Sequence, residues 1–316
     1  MKVLFITSTR IGDAVLSTAL LSHLSETYPE AKFTIACGPL AAPLFSATPN
    51  VVRVIALQKR RASLHWFGLW QACCGTWWDL VVDLRASAIS YFLMTRRRMV
   101  WRRDDRAVHR VNSLAELAGL SEAPAPRLST GAQHRDAADK LLGAARPILA
   151  LGPTANWPGK QWQAERFVEL AQCLTAADGI LPGARIAILG AASERGDAAP
   201  VVAALPADRV IDLVGKLDLL TAAALLERSD MYIGNDSGLM HIAAASGVPT
   251  LGLFGPSKEA HYAPWGARTS GVRTALDYDK LVGGPGYDHR TTGSLMESLS
   301  VDMAADAARR LWAEGT

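Results

Sequence analysis

The stretch that most constrains the fold is residues 229–257, SDMYIGNDSGLMHIAAASGVPTLGLFGPS. It begins with an apolar run at 231–233, which is followed by a turn rich in helix-capping residues at 234–238. Apolar side chains at helical spacing follow at 239–246, and a second apolar run lies at 250–254. Gly247 and Pro249 between the last two are typical of a helix end. This order predicts a strand, a turn, a helix and a second strand, the repeating unit of a parallel sheet.

The turn in this stretch offers a place for an anion. The first N–H groups of a helix have no partners within the helix and carry about half a positive charge, so they attract phosphate. Gly238 lets a ligand approach the backbone, and His241 lies one turn further along, on the face of Ser237. Asp236 and Ser237 either contact that ligand or only cap the helix. The turn alone leaves both interpretations open.

The rest of the chain repeats the alternation of strand and helix. Short apolar runs typical of buried parallel strands occur at 3–6, 33–36, 51–57, 80–84, 148–151, 186–189 and 210–212. Helical spacing separates several of them, as at Leu16, Leu20 and Leu24, and it returns in a terminal segment at 301–312. The sequence therefore predicts an α/β protein with doubly wound parallel sheets. A length of 316 residues favours two domains, and we place their boundary near residue 145.

Composition excludes several classes of protein. The chain is 49% hydrophobic, enough for a large core, and its net charge of +3 is too small to indicate a nucleic-acid partner. The four cysteines show neither CxxC pairs nor metal-ligand spacing, which favours reduced thiols in the cytoplasm. The sequence shows no signal-peptide pattern and no apolar run of the roughly 20 residues that span a bilayer. We expect a cytoplasmic protein.

Residues 59–106 are unusual because basic clusters alternate with tryptophans. This pattern is found where a protein meets an anionic partner or a membrane interface. A solvated helix face over core tryptophans explains the same pattern, and both interpretations remain open.

Several loops that follow predicted strands carry polar candidates. Asp13, just after the first strand, is placed either to accept a proton from a substrate hydroxyl or to cap the next helix. Lys160 lies in the loop at 152–162, and Glu194 follows the strand at 186–189. A lysine there suits a diphosphate and an acidic side chain suits a ribose diol, although each residue alone is ordinary. The chain has no GxGxxG after its first strand, no P-loop and no GxSxG elbow.

Taken together, these residues resemble glycosyltransferase family 9, the lipopolysaccharide heptosyltransferase family. The matching segments are RIGD, the loop with Lys160, LGAASE, DSGLMH and FGPS, at 10–13, 152–162, 189–194, 236–241 and 254–257. The resemblance covers residues 3–25, 80–87, 148–170 and 186–257.

The resemblance implies the GT-B architecture, with two Rossmann-like domains facing across a cleft. Residues 1–145 would bind the acceptor and be joined by the C-terminal helix at 297–316, and residues 146–296 would bind a nucleotide-sugar donor. The implied reaction is inverting transfer of heptose from ADP-heptose to an anionic lipopolysaccharide inner-core acceptor, with no metal and no other cofactor. The implied protein is a monomer at the cytoplasmic face of the inner membrane, without a nucleic-acid partner.

The resemblance also implies roles for single residues. Asp13 would be the general base. The donor would be bound by Thr154, Asn156, Lys160, Glu194, Leu217, Asp236, Ser237, Gly238 and His241. The acceptor would be bound by Arg10, Gly12, Arg85, Arg96 and Arg97, with further arginines up to Arg106 as candidates.

The loop before Lys160, Trp157-Pro158-Gly159, departs from the more polar loop of the family. The donor sugar, its nucleotide and the acceptor position therefore stay open. The alternatives are a family member that uses another nucleotide sugar and a non-catalytic nucleotide-sugar or glycolipid binding module.

Overall fold

Parallel strands, each followed by helical segments, make up both halves of the chain. The computed structural model describes residues 1–59, 61–102, 106–143, 146–283, 287–288 and 291–315. The chain divides into two units, Met1–Gly131 and Ala132–Thr316. The predicted α/β class with two parallel sheets is confirmed.

The first unit is built on a sheet of five strands within the described residues, in the order β3-β2-β1-β4-β5, all parallel. Its central strand β1 is an apolar run whose residues from Val3 to Ile6 are completely buried. The elements are β1 (Lys2–Ile6), α1 (Ile11–Thr27), β2 (Lys32–Cys37), β3 (Val51–Ala56), α2 (Leu64–Cys73), β4 (Trp78–Asp83), β5 (Thr95–Val100) and α3 (Arg110–Ala118).

The second unit carries six parallel strands within the described residues, in the order β11-β10-β9-β6-β7-β8. The elements are α4 (Ala132–Leu142), β6 (Ile148–Gly152), α5 (Ala164–Thr175), β7 (Arg185–Ile188), α6 (Arg195–Ala204), β8 (Val210–Asp212), α7 (Leu219–Glu227), β9 (Met231–Asn235), α8 (Gly238–Ala245), β10 (Thr250–Phe254), α9 (Glu259–Tyr262), β11 (Thr269–Arg273), α10 (Tyr278–Val282) and α11 (Val301–Ala313).

The two faces of the second sheet differ in side-chain size. Because side chains alternate along a strand, one face presents large apolar residues such as Leu151, Ile233 and Leu253, which pack with α5 and α11. The other face is lined by small residues that share register positions, Gly152, Gly234 and Gly252. Helix α8 packs on the strands β9 and β10.

The terminal helix differs from its predicted position. The expectation joined it to the first domain, whereas in the structure α11 belongs to the second unit. Its buried side is made of four alanines and Leu311, which lie in the apolar cluster of the second sheet. Trp162 Nε1 and Arg166 Nη1 both donate to the Leu299 carbonyl, at 2.9 and 2.5 Å, and anchor the entry to this helix.

The division between the units also falls earlier than the predicted boundary near 145, a position outside the described residues. Helix α4 lies before that boundary, yet it packs on α7 of the second unit. An ion pair between Arg228 and Asp139 joins the two helices.

Among the elements that the sequence analysis did not predict, three have sequences that oppose their formation. Strand β5 contains three consecutive arginines, and β11 contains a glycine at its centre. Helix α6 has Pro200 inside it, and a proline removes a backbone hydrogen bond of the helix.

The longest helix among the described residues is α1, with 17 residues. In that part of the chain, no helix combines the length and the apolar character that a membrane crossing needs.

Candidate functional site

The N-terminus of α8 keeps its N–H groups uncapped by side chains in the described structure. Ser237 is the N-cap residue, with φ −146° and ψ 172°, yet its side chain makes no capping hydrogen bond. Asp236 is 5% exposed and its carboxylate turns to Lys160 instead. The interpretation in which both residues only cap the helix is therefore not what the geometry shows. Gly238 is half-buried at the first helical position, and His241 is buried one turn later.

Lys160 and Asp236 form an ion pair, with Nζ and Oδ2 2.5 Å apart. The lysine ends a 3₁₀ turn, Pro158–Lys160, and only 23% of its side chain is exposed. A half-buried lysine that meets a buried carboxylate is not an ordinary surface lysine. The Asp236 carboxylate thereby holds the Lys160 ammonium beside the start of α8.

Asn235 positions the loop that carries Lys160, and the sequence had not singled it out. Its side-chain amide is completely buried at the end of β9. The Asn235 Oδ1 atom accepts from the Trp162 backbone N–H at 3.1 Å, and Nδ2 donates to the Pro153 carbonyl at 2.8 Å. These two bonds hold both ends of the 153–162 loop to the strand that leads into Asp236. Asn156 is exposed on this loop.

Glu194 is the polar centre of a second loop. Its Oε2 atom accepts from Thr154 Oγ1 at 2.8 Å and from the Ala191 backbone N–H at 2.9 Å. The structure thereby brings Thr154 and Glu194 together, although 40 residues separate them. The backbone N–H of Gly215 donates to the Gly190 carbonyl at 2.9 Å, which joins the loop before half-buried Leu217 to the Glu194 loop.

The side chain of Tyr232 on β9 lies beside Gly152 and Gly234, close to the residues of the candidate site. Its ring is completely buried, and its hydroxyl lies over the Cα atoms of Gly152 and Gly234, where a side chain on either glycine would overlap it. Burial raises the pKa of this hydroxyl; Ser237 opposes the rise and Glu194 adds to it. The sequence signal that leads to Tyr232 is a pair of glycines, Gly152 on the neighbouring strand β6 and Gly234 two residues further along β9, which leave room for its ring.

In the first unit, Asp13 lies in the first turn of α1, and the N-cap residue is Arg10. Of the two interpretations of Asp13, the one in which it is the N-cap residue of this helix is therefore wrong. Ser8 Oγ donates to Asp13 Oδ2 at 3.3 Å and accepts from the Arg10 backbone N–H at 3.2 Å. The carboxylate is half-buried, and Gly12 beside it is also half-buried.

Arg85 follows β4, the parallel neighbour of β1, so Arg10, Asp13 and Arg85 share one edge of the first sheet. Buried Asp83 fixes the turn by accepting hydrogen bonds from the Arg85 and Ser87 backbone N–H groups, at 2.9 and 2.8 Å. The Arg85 side chain is exposed, with its guanidinium 5.8 Å from the ring centre of Trp66.

Arg96 and Arg97 lie in the first half of β5, away from the carboxyl ends of the strands, where Asp13 lies. They follow Thr95, which pairs with Trp78 at the start of β4, whereas Asp13 follows the other end of the strands. The structure therefore does not bring them together with Asp13. Among the further candidates, Arg106 pairs with Glu116, and Arg103 lies outside the described residues.

Comparisons with known proteins give the family of the chain. The family model described as "Glycosyltransferase family 9 (heptosyltransferase)" matches residues 80–282. The chain is 26% identical over 321 residues to lipopolysaccharide heptosyltransferase 2 of Salmonella typhimurium, covering 89% of this chain and 90% of that protein.

Two solved structures show the same fold over the whole chain. A glycosyl transferase of family 9 from Veillonella parvula matches with a TM-score of 0.80 and 21% identity, covering 99% of this chain and 97% of that one. The ADP-heptose LPS heptosyltransferase II of E. coli matches with a TM-score of 0.76 and 20% identity, covering 100% and 99%. The matched range contains Lys160, Glu194 and the Asp236 turn, and the chain belongs to glycosyltransferase family 9, the heptosyltransferase family.

Proposed function

We propose that this protein transfers a heptose from ADP-heptose to a lipopolysaccharide inner-core acceptor, with inversion and with Asp13 as the general base. The Salmonella typhimurium relative is named a lipopolysaccharide heptosyltransferase, and the name of the E. coli structure adds ADP-heptose. The observation that carries the proposal for this chain is the Lys160–Asp236 ion pair beside the uncapped start of α8. A lysine and free helix N–H groups at one point suit a diphosphate.

The proposed reaction is a single displacement. The acceptor hydroxyl oxygen bonds to the anomeric carbon while the bond from that carbon to the diphosphate oxygen breaks and ADP leaves. Asp13 accepts the hydroxyl proton, and the attack from the opposite side inverts the anomeric centre. Ser8, which donates to Asp13 Oδ2, orients the carboxylate.

The donor groups have complementary tasks in this proposal. Lys160 and the N–H groups of Ser237 and Gly238 stabilise the charge that develops on the leaving diphosphate. Glu194, already oriented by Thr154, accepts hydrogen bonds from the ribose diol. Leu217 contacts the adenine, and Asn156 and His241 complete the donor contacts. Because Lys160 and the helix supply positive charge, we propose that no metal is required.

Arg10, Gly12 and Arg85 are proposed to bind the anionic acceptor, since they lie at the edge of the sheet that carries Asp13. Arg96 and Arg97 were predicted for the same task, but their position in the first half of β5, away from the carboxyl ends of the strands, does not favour it. We propose further that the enzyme acts as a monomer at the cytoplasmic face of the inner membrane.

The test measures transfer from ADP-heptose, alongside UDP- and GDP-sugars, to a Kdo-lipid A acceptor. Asp13→Ala and Asp13→Asn should lower kcat by about 10²–10⁴ while donor affinity in calorimetry is kept. Asp302→Ala is the matched control, because Asp302 is an exposed aspartate in the first turn of α11. The anomeric configuration of the product, read by NMR, tests inversion, and an unchanged rate in EDTA tests metal independence.

Other outcomes would separate the alternatives. Turnover with a UDP- or GDP-sugar instead would assign another donor on the same fold. Tight binding of ADP-heptose without turnover on any acceptor would favour a binding module, and unchanged kcat in Asp13→Ala would contradict the general-base role.

A further inference from the structure

The outer surface of α2 and of the segment after β4 exposes large apolar side chains. Phe67 is 53% exposed and Phe92 is 70% exposed. We call this surface the aromatic face; it consists of Leu64, Phe67, Tyr91, Phe92 and Met94, each at least half exposed. Large apolar side chains grouped on a surface mark a site of interaction with a protein or a membrane.

The aromatic face is continuous across the two segments. The rings of Phe67 and Trp70 stack with their centres 5.7 Å apart, and Trp70 Nε1 donates to the Phe92 carbonyl at 3.2 Å. Beneath them Leu69 and Leu93 pack into the apolar cluster of the first sheet. The segments are thus held from the inside, and their outer apolar side chains contribute nothing to that core.

The surrounding sequence is strongly basic. Residues 52–102 contain nine lysines and arginines but only two acidic residues, Asp79 and Asp83. The net positive charge of this segment is therefore larger than the +3 of the whole chain. Neither aspartate is directed at the exposed cations. Asp83 is completely buried and accepts hydrogen bonds from the Ser87 turn, and Asp79 accepts one from the Lys2 backbone N–H.

Some of these cations lie at the rim of the aromatic face. The guanidinium of Arg98 lies 5.2 Å from the centre of the Tyr91 ring, and exposed Arg102 donates to the Tyr91 hydroxyl at 3.4 Å. Alternation along β5 puts Arg96 on the same side of the sheet as Arg98, and Arg97 on the other side. Arg61 is exposed one turn before α2.

This combination favours a lipid surface over a second copy of the chain. Two copies related by a two-fold axis would bring the same arginine rim face to face, and like charges would repel. A bilayer with anionic headgroups instead offers phosphates to the arginines and an apolar boundary to the aromatic rings. The apolar centre and the basic rim are complementary to that arrangement.

We propose that the aromatic face binds the surface of a bilayer containing anionic phospholipids. Phe67 and Phe92 enter the boundary between headgroups and acyl chains, and Arg61, Arg96 and Arg102 contact the headgroup phosphates. This inference rests on the proposed location at a membrane and names the surface that makes the contact; the contact itself requires neither donor nor acceptor. It also assigns Arg96 to lipid binding, a role that does not require Arg96 to lie near Asp13.

The experiment is flotation of the full-length protein with vesicles, without donor or acceptor. Vesicles of phosphatidylcholine alone are compared with vesicles of phosphatidylcholine mixed with phosphatidylglycerol. We expect binding to the anionic vesicles, weakened by added salt. The affinity of the double variant Phe67→Ser/Phe92→Ser for anionic vesicles should be lower by about tenfold or more. The affinity of Arg96→Glu should be lower by about fivefold or more.

Two control variants come from the same chain. Arg97→Glu makes the same charge change one residue away on the other side of the sheet, and it should lose clearly less than Arg96→Glu. Leu276→Ser removes an exposed leucine in the second unit and should bind as the wild type does. ADP-heptose affinity, measured in parallel, should be unchanged in every variant, so failure here is distinguishable from failure of the transferase proposal.

Three outcomes would overturn the proposal. The first is no binding to anionic vesicles, and the second is equal loss in Arg96→Glu and Arg97→Glu. The third is self-association of the wild type that Phe67→Ser/Phe92→Ser abolishes, without vesicle binding, which would assign the aromatic face to contact between copies.

Discussion

At the residue scale, Lys160 and Asp236 serve both the stability of the second unit and the proposed donor site. Asp236 is nearly buried, and its Oδ2 atom lies 2.5 Å from Lys160 Nζ. A buried carboxylate without a cation loses hydration that nothing replaces. A donor diphosphate would meet a lysine that this carboxylate has already oriented.

Removing one partner should therefore have a different effect from removing both charges. Lys160→Met should lower the free energy of unfolding by about 1–3 kcal/mol, because Asp236 stays buried without its partner. Lys160→Met/Asp236→Asn should recover most of that stability, whereas ADP-heptose binding should stay weak in both variants. Urea unfolding and calorimetry measure the two effects.

The control for this prediction is Lys280→Met, which breaks an exposed pair with Asp277 in the same unit. We expect no measurable change in stability, because exposed pairs are hydrated and screened. If the double variant bound the donor as tightly as the wild type, Lys160 would serve the fold alone.

At the element scale, glycines on β6 and β9 decide how closely Tyr232 approaches the site. Gly152 and Gly234 are register partners on neighbouring strands, and the Tyr232 hydroxyl lies over both. A β-carbon on either glycine would overlap the hydroxyl and the ring carbon that bears it. These strands therefore need glycine because a ring from the same sheet fills the space.

Alanine should have opposite effects at two glycines. Gly152→Ala should lower the free energy of unfolding by about 1–3 kcal/mol, since the ring must shift within a packed layer. Gly68→Ala in α2 should raise it by about 0.5–1 kcal/mol, because Gly68 lies inside a helix and, apart from that helix's own backbone and the two adjacent residues, no described atom lies within 4 Å of the added carbon. Thermal or urea unfolding measures both.

Tyr232→Phe provides the cross-check for this packing. In that background Gly152→Ala should cost less, because the hydroxyl that the new carbon meets first is gone. An equal cost with and without the hydroxyl would show that the Tyr232 hydroxyl does not cause the strain.

At the scale of the whole molecule, burial divides the four free cysteines into two classes. Burial raises the pKa of the Cys37 thiol to about 12. It also raises the pKa of Cys73 to about 11, with Arg53 opposing the rise and Cys74 adding to it. Cys74 and Cys173 are half-buried, and Arg309 Nη2 donates to the Cys173 sulfur at 3.2 Å.

Thiol titration with Ellman's reagent near pH 8 should therefore find Cys74 and Cys173 reactive in the native protein. All four cysteines should react after unfolding in guanidinium. Only thiolates react, so a raised pKa and burial both protect Cys37 and Cys73. Cys74→Ser/Cys173→Ser should leave the native protein unreactive; rapid reaction of that variant would show that the first unit opens readily.

Much of the fold was predictable because its signals are local. The runs at 3–6, 231–233 and 250–254 became β1, β9 and β10, since fully apolar segments of that length are typical of buried parallel strands. Strand β5 was missed because Thr95–Val100 is half arginine. An edge strand tolerates such charges, which also hinder pairing with another chain.

The sequence by itself determined which segments become strands and helices, and it identified most polar residues of the candidate site. Only the tertiary structure decided how those residues pair: Lys160 meets Asp236 across 76 residues, and Thr154 meets Glu194 across 40. It also assigned α11 to the second sheet and placed Arg96 in the first half of β5, away from Asp13. The physical reason is that strand and helix signals lie within a few neighbouring residues, whereas ion pairs and helix docking depend on which distant surfaces the folded chain brings together.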